Sequence, residues 1–150
     1  MGLLSDLGEG PVALDTAIFI YYLEENPVYL PLVDLVFTAI DAGDLEAVTS
    51  SLTLLETLVA PLRLANAPLA ARYETFLTSS RGLTMIDVNL GLLRAAAHVR
   101  AVTRAKTPDA IQAAAALVGG CTVYLTNDNR FPVLPGLRVL VLDDYLPPSS

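Results

Sequence analysis

Four carboxylates stand at or near the junctions between strand-like and helix-like runs of this chain: Asp15, Glu56, Asp109 and Asp128. Asp15 closes the apolar run Val12-Ala13-Leu14, and Asp128 closely follows Val123-Tyr124-Leu125-Thr126. Asp109 falls in the first turn of an alanine-rich helix, and Glu56 about two turns into another. In a parallel sheet such junctions gather along one edge, where ligands bind. Four acids on one edge repel each other unless a cation neutralises them. Hard oxygen donors suit Mg²⁺ or Mn²⁺, since Mg²⁺ keeps several waters and needs only a few carboxylates. The chemistry open to such a set is metal-assisted phosphodiester cleavage, with one ion or with two about 3.5–4 Å apart.

Each acid alone also has a structural reading. Asp109 suits a helix first turn, where the dipole favours negative charge. Asp15 could cap the helix that follows it. Asp128 could be a turn residue within Asn127-Asp128-Asn129, and Glu56 could face solvent. Read together, the four favour a shared site.

The elements that must position them alternate. Val12 to Asp15 reads as a short strand and Thr16 to Glu24 as a helix, which Glu25-Asn26-Pro27 ends. Leu30 to Ala42 has helical spacing at Val33, Val36, Phe37 and Ile40. Glu46 to Thr49 is a second strand. Ser50 or Ser51 can cap a helix to about Leu64, in which Pro61 predicts a kink or an earlier end. A helix restarts at Asn66-Ala67-Pro68 and runs to about Thr78, and Leu83 to Ile86 is a third strand. Asp87 reads as the cap of a helix from Val88 to Ala105, with a buried stripe of Leu92, Ala95, Ala96, Val99 and Val102. Thr107-Pro108-Asp109 reads as N-cap, N1 and first-turn acid of the next helix, which Gly119-Gly120 stops. Val123 to Thr126 and Leu137 to Leu142 complete the strands. Strands alternating with helices predict an α/β protein whose mostly parallel sheet of four or five short apolar strands is covered on both faces.

At 150 residues, 53% apolar and 17% charged, the chain suits one packed domain rather than disorder. We expect that domain to span residues 5–146, with residues 147–150 as a loose tail. Mean hydropathy is high at +0.53, yet no apolar run approaches the ~18 residues of a membrane span. The N-terminal residues lack the pattern of a secretory signal, and the single cysteine, Cys121, excludes an internal disulfide. Cytoplasm is the expected compartment, with no membrane partner. Residues 1–62 carry 10 acids and no Lys or Arg, whereas residues 63–150 carry 9 basic and 6 acidic residues. The net charge of −7 discourages indiscriminate nucleic-acid binding. Arg94, Arg100, Arg104 and Lys106 nevertheless lead up to Asp109, a local positive patch compatible with a phosphodiester substrate. His98, the only histidine, reads as a surface or structural residue, Cys121 as a small buried one, and Asp143-Asp144 as a solvated pair.

The ordered pattern resembles the PIN-domain nucleases, and within them the VapC-type toxins of toxin–antitoxin pairs. The stretches that carry it are Leu14-Asp15-Thr16, Ser51 to Glu56, Thr107 to Ala116, Leu125 to Phe131, and Leu137-Arg138-Val139-Leu140. Any one is weak; the ordered set, over about residues 11–145, is fairly specific. The resemblance implies a PIN-like three-layer α/β sandwich and a Mg²⁺- or Mn²⁺-dependent endoribonuclease. It implies that Asp15, Glu56, Asp109 and Asp128 hold the metal, with Thr16 and Thr126 as supporting hydroxyls. It further implies RNA as substrate, a small antitoxin as partner and a homodimer. Arg100, Arg104, Lys106 and Arg130 are candidates for contacting RNA phosphates. There is one departure. Many relatives carry a further acid where this chain has Arg130, which leaves one-ion and two-ion mechanisms both open. Two other readings are a metal-dependent phosphohydrolase for a small phosphate ester, and a domain of this type that binds RNA or a protein without cleaving.

Overall fold

The computed structural model describes residues 2–148. Leu3–Leu7 forms a short helix, α1, which the sequence reading leaves unassigned; its Leu3 and Leu7, one turn apart, are both buried. Strand β1 (Val12–Leu14) leads into α2 (Thr16–Leu23), and α3 (Leu30–Asp41) follows. Then come β2 (Ala47–Ser50), α4 (Leu52–Arg63), α5 (Ala67–Ser79), β3 (Leu83–Ile86), α6 (Leu90–Val102), α7 (Thr107–Val118), β4 (Val123–Thr126) and β5 (Arg138–Val141). A 3-10 turn, Leu142–Tyr145, closes the series. Of the expected tail, Ser149 and Ser150 lie outside the described residues.

The five strands form one sheet in the order β3-β2-β1-β4-β5, with every neighbouring pair parallel. The expected mostly parallel sheet is thus wholly parallel. The side-chain alternation of a strand divides the core in two. Val12, Leu14, Ala47, Val123 and Leu125 face one cluster with α2 and α3. Ala13, Val48 and Tyr124 face the other, with α6 and α7. All of Ala110 to Ala116 is buried on α7, because that helix packs on α6 to one side and on β1, β2 and β4 to the other. Its alanines permit this close approach, and Gly119 extends it: a Cβ there would lie 2.8 Å from Val48 Cγ1.

Several local readings shift. Asn89, not Asp87, caps α6, its side chain accepting from the Leu92 N–H at 2.9 Å. Asn89 is itself extended and the helix begins at Leu90, later than the apolar pattern suggests. Thr107 is the first helical residue of α7 rather than its cap, a position taken by Lys106. Helix α4 continues through Pro61 to Arg63. Val102, assigned to the buried stripe of α6, is 75% exposed because it sits in the last turn, where the chain leaves the core.

Candidate functional site

The strand order reverses direction between β1 and β4: the chain runs from β1 outward through β2 to β3, then crosses to β4 and β5. The crevice beyond the carboxyl ends of β1 and β4 is therefore the topological switch point of the sheet, where an open α/β fold binds ligands. Asp15 follows β1 directly, and Asp128 lies two residues past β4. Helix α7 brings Asp109 over the same edge, and α4 brings Glu56. All four acids are half-buried.

Asp15 is held most tightly. Its backbone N–H extends the sheet to Leu125 O at 3.0 Å. As N-cap of α2 its Oδ1 accepts from the Thr16 N–H at 2.8 Å, while Thr126 Oγ1 donates to its Oδ2 at 2.6 Å. Burial pushes the carboxyl pKa above its ordinary value, these donors oppose the rise, and the charge of Asp128 adds to it. Glu56 accepts from Thr16 Oγ1 at 2.6 Å through its Oε1. Asp109 also has a raised pKa, first from burial and then from the charges of Asp15, Asp128 and Glu56, against a weaker opposing effect of Lys106. These charges reach Asp109 because Asp15, Asp128 and Glu56 lie on the same sheet edge. Asp128 behaves oppositely. Its Oδ1 accepts from the Arg130 backbone N–H at 2.9 Å and from Arg130 Nε at 3.3 Å, and its pKa falls, chiefly through the first of these bonds.

Beneath the acids lies a buried polar network that sequence reasoning missed. Gln112, one turn after Asp109, donates through Nε2 to Thr53 Oγ1 at 2.9 Å and to Thr16 Oγ1 at 3.3 Å. Its Oε1 accepts from Ser50 Oγ at 2.9 Å. Thr49 Oγ1 donates to Leu14 O at 3.1 Å and lies 2.7 Å from Thr53 Oγ1. One network thus ties β1, β2, α2, α4 and α7 together under Asp15, Glu56 and Asp109. The available signal was a lone polar residue within the alanine run of α7.

The cationic candidates separate. Arg104, Lys106 and Arg130 line a groove of about 530 Å³ with Asp109 and Asp128. Arg100 does not line it; its Nε donates to Ala105 O at 3.1 Å and its Nη1 to Thr107 Oγ1 at 3.0 Å, so it braces the link into α7. A second groove, of about 580 Å³, shares Asp128, Asn129 and Arg130 with the first and is also lined by Asp15, Tyr21, Asp143 and Asp144. Asp143 is not merely solvated, since it accepts from the Tyr29 hydroxyl at 2.6 Å. His98 is exposed on α6 and Cys121 is buried.

Among the described residues, no three His, Cys, Asp or Glu side chains are close enough to form a ready cation cage. The donor set nonetheless fits a hard divalent cation. It consists of carboxylates whose mutual repulsion a cation relieves, and Mg²⁺ binds through one or two carboxylates while keeping waters. Asp15, Glu56, Asp109 and Asp128 are the groups that would hold it.

Residues 12–137 match the family model described as the PIN domain. None of the curated proteins compared matches this chain significantly. Solved structures with a similar fold include DNA-bound VapBC from Salmonella typhimurium, at 22% identity and TM-score 0.67, covering 87% of this chain and 97% of that one. Another is VapC20 from Mycobacterium tuberculosis, a sarcin–ricin-loop-cleaving toxin, at 15% identity and TM-score 0.64, covering 80% and 92%. A third is a toxin–antitoxin complex from Klebsiella pneumoniae, at 18% identity and TM-score 0.62, covering 84% and 94%.

Proposed function

This chain belongs to the PIN-domain family, and from that premise we propose that it is a metal-dependent endoribonuclease acting as the toxin of a toxin–antitoxin pair. The observation that carries the reading is the convergence of Asp15, Glu56, Asp109 and Asp128 on the switch point between β1 and β4, with Asp109 repelled by the other three. The likeness to solved toxin–antitoxin structures supports an antitoxin as partner; cytoplasmic action and a homodimer complete the proposal.

The residues divide the work. The four acids would hold a Mg²⁺ or Mn²⁺ ion. When bound, the ion supplies charge neutralisation at the phosphoryl group and a water activated near neutral pH. Thr126 and the Thr16 N–H fix both oxygens of Asp15, so that this carboxylate meets a ligand in one orientation. Thr16 Oγ1 holds one oxygen of Glu56, Oε1, and is itself held by Gln112. Arg104, Lys106 and Arg130 receive the phosphate backbone in the groove beside Asp109 and Asp128. The neighbouring groove shares Arg130 but sets Asp15, Asp128, Asp143 and Asp144 against it; its net negative charge disfavours phosphate, so the backbone enters from the basic side. Among the described residues no helix is long and apolar enough to cross a membrane.

The test is cleavage of structured RNA by the purified protein. We expect activity abolished by EDTA and restored by Mn²⁺. Activity on small phosphate esters but not on RNA would favour a phosphohydrolase. RNA binding without cleavage at any Mn²⁺ concentration would make the protein a binder.

A further inference from the structure

The floor of the acid cluster contains one polar atom that the fold leaves unsatisfied. Tyr124 lies in β4, in register with Ala13 of β1. It is 1% exposed, and its hydroxyl is the single buried side-chain N or O atom without a hydrogen-bond partner among the described residues. Strand alternation puts Tyr124 and Thr126 on the same face of β4, the face on which Thr126 reaches Asp15. The Tyr124 hydroxyl and the Asp15 carboxylate are near enough that each shifts the pKa of the other, although no hydrogen bond with good geometry joins them, and the charges of Asp109 and Glu56 act on the hydroxyl as well. The ring is already fixed: it stacks on Phe131 with centroids 4.0 Å apart and planes at 16°. Phe131 in turn lines the basic groove with Asp109 and Asp128.

A phenylalanine at this position would keep the stack and the packing and would leave no orphaned polar atom. A tyrosine here instead buries a hydroxyl without a partner and places a donor near the acids. Such a locally unfavourable polar group has the character of a functional feature. We propose that Tyr124 is a positioning residue for the cation site, its hydroxyl donating to the Asp15 carboxylate, directly or through one water, when the cation is bound. This inference rests on the metal-site reading above. The hydroxyl supplies a third fixed donor to Asp15, beside the Thr16 N–H and Thr126 Oγ1. Through the Phe131 stack it also links the geometry of Asp15 to the loop that carries Asp128.

The test is the variant Tyr124→Phe, with Mn²⁺ binding followed by calorimetry and thermal unfolding followed in EDTA. We expect Mn²⁺ affinity to fall about ten-fold or more, as for other groups that orient a metal ligand. The metal-free Tm should stay unchanged or rise by about 2–4 °C. A merely structural tyrosine would give the reverse pairing: a lower Tm with Mn²⁺ affinity intact. Equal Mn²⁺ affinity in variant and wild type, or a fall in Tm, overturns the role of Tyr124. Failure of the wild type itself to bind Mn²⁺ overturns the cation site, and this inference with it.

Discussion

The two strand-end acids, Asp15 and Asp128, sit on the neighbouring strands β1 and β4 yet are held in opposite ways. Asp15 is gripped by the sheet, by the N-terminus of α2 and by Thr126, and burial raises its pKa. Asp128 belongs to a loop, is held by the backbone and side chain of Arg130, and its pKa is lowered. The first arrangement spans distant parts of the chain and fixes geometry before any ligand arrives. The second is local, and its charged partner is 84% exposed. The lesson is that Asp15 and Glu56, tied to distant elements, form the rigid part of the candidate site, and that the Asp128–Arg130 side, held within its own loop, is the part that can change at little cost to the fold.

The strongest way to break this contrast is at its rigid end. Asp15→Asn should reduce RNA cleavage by more than about 100-fold, since even groups that only orient a metal ligand are worth 10–100-fold. The metal-free Tm should not fall, because the change removes a half-buried charge; single-turnover kinetics and thermal unfolding check the pair. Next comes Gln112→Ala, which takes the acceptor from the Ser50 hydroxyl and one donor from Thr53, and opens a gap in the buried network. It should cost about 2–4 kcal/mol of stability in urea unfolding, from unsatisfied buried groups and lost packing.

A smaller effect is the pH dependence of the metal-free protein. The raised pKa values of Asp15 and Asp109 mean that the folded state holds their protons more tightly than the unfolded chain does. Their contribution therefore favours folding below the ordinary carboxylate value and is lost as pH rises through their raised values. Asp128, with a lowered pKa, has the opposite slope: its contribution is present above the ordinary value and is lost as pH falls through the depressed one. Tm measured against pH in EDTA should thus change slope in opposite directions in Asp15→Asn and Asp128→Asn. Since protons compete with the cation at Asp15 and Asp109, Mn²⁺ affinity should rise with pH over the same acidic range. The smallest stability effect belongs to Arg130→Ala. Loss of an exposed ion pair should change stability by less than about 1 kcal/mol, while RNA binding weakens and becomes less dependent on salt.

The rigid and adjustable halves also differ in how far they could be read from sequence. The apolar run Val12-Ala13-Leu14 ending in Asp15, and the run Val123 to Thr126 ahead of Asp128, announce strands followed by acids, and the parallel sheet then dictates where those acids meet. Gln112 was visible only as an interruption in an alanine run. Its partners, Thr16, Ser50 and Thr53, lie 59 to 96 residues away in the chain, and no local pattern pairs them. Tyr124 looked like an ordinary strand aromatic, because an unsatisfied hydroxyl is a property of the packed environment and not of the residue. Helix α1 is too short for helical periodicity to register. Asp87 and Asn89 are both good caps, and only the start of the helix at Leu90, which no local pattern marks, decides between them. Arg100 and Arg104 share a helix spacing, yet one turns back to brace Thr107 while the other lines the groove.

The central claim is that the acids at the β1–β4 switch point bind a divalent cation. Calorimetric titration of Mn²⁺ into the wild type and into the double variant Asp15→Asn with Asp109→Asn tests it most directly. The account predicts saturable binding to the wild type that is lost in a double variant still folded in EDTA. Undiminished binding in the double variant would contradict it.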